Sequence, residues 1–228
     1  VSLVAHELAH SWSGNLVTNA TWDDFWINEG FTSYFENRIM EEVSGPEYAQ
    51  MLESLARTGL DDEIGSLDEA DQHLRLNLAG RNPDDGMNSI AYDKGALFLR
   101  TMEEAAGREK FDEWLRGYFD RHAFQPMTTD RLLADMDEHL FKGEPALRDE
   151  INPEAWIDGS GLPANAPRVE SAAFARAKAQ ADAFASGAAP EALETDGWST
   201  HEWLHFMKSL PAEWEPAQLA NLDESFGF

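Results

Sequence analysis

Five consecutive residues, His6-Glu7-Leu8-Ala9-His10, carry the clearest chemistry in this sequence. On a helix, histidines at i and i+4 project from one face, a turn apart. Two imidazole nitrogens at that spacing suit a single zinc ion. Glu7, next to the first of them, can face a water on that ion and act as general base. A catalytic zinc takes three protein ligands and keeps one position open. Glu29 offers the third, in Asn28-Glu29-Gly30 after eighteen intervening residues. A helix, a reversing connection and one turn of a second helix would bring it back beside the first. The alternative is two histidines and a glutamate on a solvated face. The apolar residues of the same segment, Leu3, Val4, Leu8 and Trp12, argue for burial.

The elements that must position these groups are mostly helical. Residues 2–13 read as a helix that Gly14 stops. Residues 27–42 read as a second, ended by Ser44-Gly45-Pro46, and 47–57 as a third. Glu36 follows Glu29 by seven residues, so it lies near the same face and can orient a histidine, as can Asn28, Asp23 or Asp24. Trp22, Phe25 and Trp26 can line a pocket or pack between the first two helices. Residues 58–91 lack helical period. Leu74, Leu76 and Leu78 alternate with polar residues, which predicts a short strand or extended segment among the turn formers Gly59, Gly65, Gly80, Pro83 and Gly86. A connection this long inside a compact region is unusual and often functional.

Helices resume at 94–106. Phe111, Trp114, Leu115 and Tyr118 form one apolar stripe, and Leu132, Leu133, Met136 and Leu140 another, with Thr128 or Thr129 as N-cap. Residues 159–167, which open on Gly159-Ser160-Gly161-Leu162-Pro163, read as a linker. Beyond it Phe174, Ala177, Ala181 and Phe184 mark a helix face. Ser199 with Glu202 predicts a capping box for a helix to about Leu210, and 216–225 a last helix. The fold class expected is mainly α, with one domain over 1–158 and the start of a second, all-helical one over 168–228.

Composition narrows the partners. The 228 residues carry 43 acidic and 17 basic side chains, a net charge of −26, and no cysteine. Such a charge repels nucleic acid and anionic membranes, and without thiolates the main zinc ligands left are histidine and carboxylate. With 43% hydrophobic and 11% aromatic residues this is no disordered acidic tail. The most apolar stretch, 172–189, is broken by Arg176, Lys178 and Asp182, so no membrane span is expected. No signal-peptide pattern is present, and the location expected is cytoplasmic. The chain opens on Val1 and enters a helical pattern at once, which reads as a piece of a longer protein.

The stretch from His6 to Glu29 resembles the zinc signature of the gluzincin aminopeptidases, and most closely their leukotriene-A4 hydrolase branch. The likeness runs through residues 5–19 and Thr21-Trp22-Asp23-Asp24-Phe25-Trp26. It continues at Ala91-Tyr92-Asp93-Lys94-Gly95, Thr128-Thr129-Asp130, Trp156 and Ser160-Gly161-Leu162-Pro163. It covers most of residues 1–165. The resemblance implies the helical zinc-binding half of a thermolysin-like metallopeptidase domain, followed by the start of a solenoid-like all-α domain. It implies one Zn2+ per chain on His6, His10 and Glu29, with peptides that have a free N-terminus as substrates. Tyr92 takes the role of transition-state stabiliser, and Asp84 that of an aspartate that helps bind peptide. The element that anchors the substrate amine would lie upstream of Val1, and basic residues for the substrate carboxylate beyond Phe228, so this stretch alone is expected to be inactive. Met87 stands where the branch places a tyrosine used in epoxide chemistry, which favours peptide over leukotriene hydrolysis. Two other readings stay open: a non-catalytic zinc-bearing helical module, and a thermolysin-like endopeptidase.

Overall fold

Alanines decide how the first helix lies. In the computed structural model, which describes residues 1–211 and 216–227, α1 (Ser2–Ala9) buries Ala5 and Ala9. Ala5 packs in one cluster with Met40 of α2 (Phe25–Ser44) and Ala49 of α3 (Pro46–Ile64). The bulky apolar residues of α1 point the other way: Leu3 is 69% exposed and Val4 and Leu8 61%, while Trp12, past the helix end, meets Phe35 of α2 at 6.1 Å. Within this chain the packed face is that of Ala5 and Ala9. Small side chains, one turn apart, let α1 approach its neighbours closely, and the large ones fall on the opposite face. The helix also ends at Ala9, earlier than Gly14, and the chain then turns through residues 10–16. His10 keeps helical backbone angles just past the end, so the i, i+4 relation to His6 survives.

The turn leads into β1 (Val17–Asn19), which pairs in parallel with β2 (Gln125–Met127), Val17 opposite Gln125 and Asn19 opposite Met127. Between β1 and α2 lies a 3-10 turn, Trp22–Asp24. Asp24 is buried, and its Oδ1 accepts from the backbone N–H and the hydroxyl of Thr129, both at 2.8 Å. This ties the start of α2 to α6 (Thr129–Asp135). Thr128 caps α6, accepting from the Arg131 N–H at 3.3 Å, and a π turn, Met136–Leu140, continues it.

The third helix runs to Ile64, beyond the expected 57, because Leu60 and Ile64 still find the core. Leu74, Leu76 and Leu78 are buried as alternation predicts, yet they form no strand. Their backbone instead meets single carbonyls: Leu74 N–H donates to Ile157 at 3.0 Å and Leu76 N–H to Asp23 at 3.1 Å. The connection carries 3-10 turns at Glu69–Gln72 and Pro83–Gly86. It ends in a π turn, Ile90–Lys94, that runs straight into α4 (Gly95–Ala106). Helices α5 (Arg108–His122), α7 (Pro145–Ile151) and α8 (Pro153–Ile157) complete this part. Its core is aromatic: Trp26 meets Phe98, which stacks on Trp156, while Phe31 stacks on Tyr118. Each such side chain contributes about 1.5–3 kcal/mol on burial.

Contacts divide the chain into compact units Val1–Val169 and Glu170–Phe228. Residues 159–167, read as a linker, fall inside the first unit, where Leu162 and Ala166 pack on the core. In the second unit α9 (Ala172–Ala185) buries Phe174, Ala177, Ala181 and Phe184, the four residues of the predicted face. Helix α10 (Thr200–Ser209) opens on the Ser199–Glu202 capping box, and α11 (Pro216–Phe226) adds Leu222 to the unit's core. Residues 212–215 and 228 lie outside the described residues.

Where α2 and α4 cross, their backbones touch. A Cβ built on Gly95 would lie 2.8 Å from the Cα of Gly30, and the reverse is equally true. Gly59, inside α3, has nothing within 4 Å of its Cβ position. These two glycines should respond to alanine with opposite sign. Alanine at Gly59 should stabilise by about 0.5–1 kcal/mol through helix propensity. Gly95→Ala should destabilise by about 1–3 kcal/mol, since overpacking against backbone outweighs that gain. Urea unfolding midpoints check both, and a raised midpoint for Gly95→Ala would contradict the crossing.

Candidate metal centre and active site

The turn between α1 and β1 folds α1 back along α2, and this brings three side chains together. The Nε2 of His6 lies 3.2 Å from Glu29 Oε2, and the Nε2 of His10 lies 3.6 Å from the same oxygen. One ligand atom from each of His6, His10 and Glu29 falls within 4.8 Å of the others. Ligands of a tetrahedral zinc at about 2.0–2.2 Å stand roughly 3.3 Å apart, which the two spacings from Glu29 approach, so these three residues could hold a zinc ion.

The outer nitrogens are engaged as well. His10 Nδ1 lies 2.8 Å from the Ser13 carbonyl, which can only accept. Nδ1 therefore carries a proton, and Nε2 is the nitrogen that faces Glu29. Ser13 is itself held in place, donating its hydroxyl to the carbonyls of Ile27 at 2.8 Å and Asn28 at 2.9 Å. Thr32 Oγ1 stands 3.2 Å from the same imidazole nitrogen. His6 Nδ1 lies 3.1 Å from Glu36 Oε2. Glu29, Thr32 and Glu36 follow one another at i, i+3 and i+7 along α2, so one helix face supplies the third donor and two orienting groups. Glu36 was legible from that spacing. Ser13 and Thr32 were not singled out, although Thr32 shares the same periodicity.

Other predicted residues divide into two groups. Tyr92 joins the cluster: its ring stacks 6.1 Å from His6 and meets Phe25 edge-on at 5.9 Å. Glu7 is exposed on α1, and its charge reaches Tyr92. Asp84 sits exposed on the Pro83–Gly86 turn, and no contact joins it to the histidines. Met87 is half-exposed beside Tyr92, Asn88 and Ser89 on an open cavity of about 500 Å³ that His6, Glu36, Glu63 and Asp93 also line. Asp23 and Asp24 do not reach the histidines. Asp23 Oδ1 accepts the Leu78 N–H at 2.8 Å, and Asp24 holds Thr129. Of the three aromatic candidates, Trp26 is core, donating its Nε1–H to Thr129 Oγ1 at 3.0 Å. Phe25 is buried against Tyr92, and only Trp22 is half-exposed.

Comparison with known proteins places the chain among peptidases. Residues 1–151 match the peptidase family M1 domain. Leucine aminopeptidase 2 of Ajellomyces capsulatus (strain NAm1 / WU24) is 33% identical over 231 residues, covering 92% of this chain and 35% of that protein. A leukotriene A-4 hydrolase homolog of Botryotinia fuckeliana (strain B05.10) is 30% identical over 215 residues, with 92% and 33% covered. The chain thus spans about a third of the length of these curated relatives. Among solved structures, native leukotriene A4 hydrolase from Saccharomyces cerevisiae superposes with a TM-score of 0.88 at 27% identity, covering 100% of this chain and 40% of that one. The M1 zinc metallopeptidase from Deinococcus radiodurans superposes at 0.58 with 27% identity, covering 74% and 35%.

Electrostatics couple the cluster. Hydrogen bonds to Glu29 and Glu36 push His6 up to about 9, against the cost of burial. Both of its nitrogens face acceptors, so without a metal the ring is an imidazolium. A cation among the three donors would take the place of the Nε2 proton and leave the Nδ1–H bond to Glu36 intact. Burial, then Glu29 and Glu7, push the Tyr92 phenol up, which keeps it a proton donor. Glu36→Gln keeps an acceptor at Nδ1 but removes its charge. In the metal-free protein His6 should then titrate well below about 9, toward its ordinary 6.5. NMR of the imidazole protons measures this, and an unchanged midpoint would show that Glu36 does not hold the charge.

Proposed function

We propose that this chain, which belongs to peptidase family M1, is the zinc-binding helical part of an aminopeptidase that removes N-terminal residues from peptides. The observation that carries the reading is the convergence of His6, His10 and Glu29 with both outer imidazole nitrogens engaged. Bound zinc would supply an acidified water and a polarised carbonyl. Glu7 adjoins His6 on the helix and is free of hydrogen-bond partners among the described residues. It takes the proton from the attacking water and delivers it to the leaving amine. Tyr92, neutral and a donor, gives its O–H to the oxygen that gains charge as the carbonyl becomes tetrahedral. Its stack on His6 keeps the ring beside the metal donors.

Glu7, Glu29, Glu36, Glu63 and Asp93 gather carboxyl groups around the site, and such a field favours a substrate with a free α-ammonium. A peptidase rather than a structural zinc module follows from Glu7, since a structural site needs no base and closes with a fourth protein ligand. Asp84, exposed on the Pro83–Gly86 turn, is assigned to peptide binding by resemblance alone. Among the described residues no helix is long and apolar enough to cross a membrane, and a cytoplasmic location belongs to this proposal.

In the complete natural chain, Glu7→Gln should keep one zinc by elemental analysis and lose about 10²–10⁴-fold in kcat. Activity close to the wild type would remove Glu7 as the base. Aminoacyl amides and their N-acetylated forms, compared side by side, test the exopeptidase. Only the free-amine form should be cleaved, and equal cleavage of both would make the enzyme an endopeptidase.

A further inference from the structure

Lys94 has no exposed surface at all. Its ammonium donates to the carbonyls of Gln72 and Gly159, each at 2.7 Å. These belong to two separate segments, the Glu69–Gln72 turn and the chain just past α8. The Gln72 side chain extends the network. Its Oε1 accepts the Gly161 N–H at 2.8 Å, and its Nε2 donates to the carbonyls of Ile64 at 3.0 Å and Leu67 at 2.9 Å. One buried hub therefore fastens the end of α3, the connection after it and residues 159–161 to the last residue of the π turn. Burial draws Lys94 down to about 8, opposed by the charge of Asp158, so near neutrality it is still an ammonium. A buried ammonium is costly unless its donors are met. Here two carbonyls meet it, with the stronger bonds that a charge provides.

What the hub holds is the turn that carries Tyr92. A π turn adds a residue to the helical circuit and re-aims the side chains along it. Tyr92 faces His6, while Lys94, two residues on, enters the core. The start of the turn is held by Glu63 Oε2, which accepts the Ser89 N–H at 2.7 Å, and by Asn88 Oδ1, which accepts the Ile90 N–H at 3.1 Å. Its end is held by Lys94. The Tyr92 hydroxyl itself has no hydrogen-bond partner among the described residues, so ring packing and the turn set its place.

We propose that Lys94 is a positioning residue for the reaction: by drawing the Gln72 and Gly159 carbonyls onto the end of the π turn, it sets where the Tyr92 hydroxyl stands over the metal donors. This rests on Tyr92 being the donor to the developing oxyanion. A displacement of about 1 Å in such a group can cost 10²-fold in rate.

A double-mutant cycle in the complete natural chain tests it. It compares wild type, Lys94→Met, Tyr92→Phe and the double variant on an unblocked aminoacyl amide, with zinc content and thermal unfolding measured for each. Lys94→Met should keep one zinc, lose about 10–100-fold in kcat, and move KM by less than about threefold. On the Tyr92→Phe background the same change should cost less than about twofold, because both variants remove one interaction. Should Lys94→Met fail to unfold cooperatively, the cycle is run with Lys94→Gln, which retains a donor. Losses that multiply, a shift carried by KM, or loss of zinc overturn the role of Lys94 and leave Tyr92 standing. Full kcat in Tyr92→Phe overturns both assignments.

Discussion

Where α2 and α4 cross, the backbones of Gly30 and Gly95 are in contact, with a Cβ on either glycine brought to 2.8 Å of the other's Cα. Glu29 precedes one of these glycines, and the π turn with Tyr92 precedes the other. A single crossing therefore sets Glu29, the candidate third metal donor, beside the phenol-bearing turn. The large side chains around it fill the space that two glycines leave. Trp26 lies 3.7 Å from the position a Gly95 Cβ would take, and it meets both Phe31 and Phe98. Rigid aromatic packing of this kind transmits displacement rather than absorbing it, which is why the spacing of α2 and α4 bears directly on the chemistry.

Around that crossing, both imidazoles are oriented by groups that do no chemistry. Ser13 fixes the tautomer of His10 and is itself fixed by the first carbonyls of α2. Glu36 holds the outer nitrogen of His6. Asp24 and Thr129 tie the entry of α2 to α6, and Lys94 gathers two loops under the π turn. Polar groups buried this deeply stabilise one arrangement only when their partners are met, and here most of them are. The concentration of carboxylates fits the same picture. Glu29 and Glu36 hold a proton on His6, and burial with Glu36 and Glu63 pushes Asp93 up to about 7. A divalent cation would relieve this crowding of negative charge, since it neutralises acceptors that otherwise compete for protons.

Much of the site was legible along the chain because its parts obey helical spacing. His6 and His10 are a turn apart, and Glu29 and Glu36 two turns apart, so residue type and interval sufficed to place them on common faces. The apolar stripes of α5 and α9 and the capping box at Ser199 were legible for the same reason: they depend on neighbours within seven residues. Where prediction and structure part, the partner lies far off in sequence. The alternation at 74–78 reported burial correctly, yet the hydrogen bonds of that segment go to Asp23 and Ile157, so no strand forms.

The sequence by itself determined the donor types, their intervals and the helices that carry them, since these follow from side-chain chemistry and a 3.6-residue period. Only the tertiary structure decided which face of each helix is buried. Leu3, Val4 and Leu8 are the bulky apolar residues of α1, yet in this chain it is Ala5 and Ala9 that are buried, Ala5 against α2 and α3, because close approach there admits only small side chains. It also decided that Glu36 holds His6 while a backbone carbonyl, that of Ser13, holds His10, and that a lysine within the Tyr92 element is wholly buried. Those outcomes turn on distances of a few ångströms between segments tens of residues apart, and no local pattern encodes them.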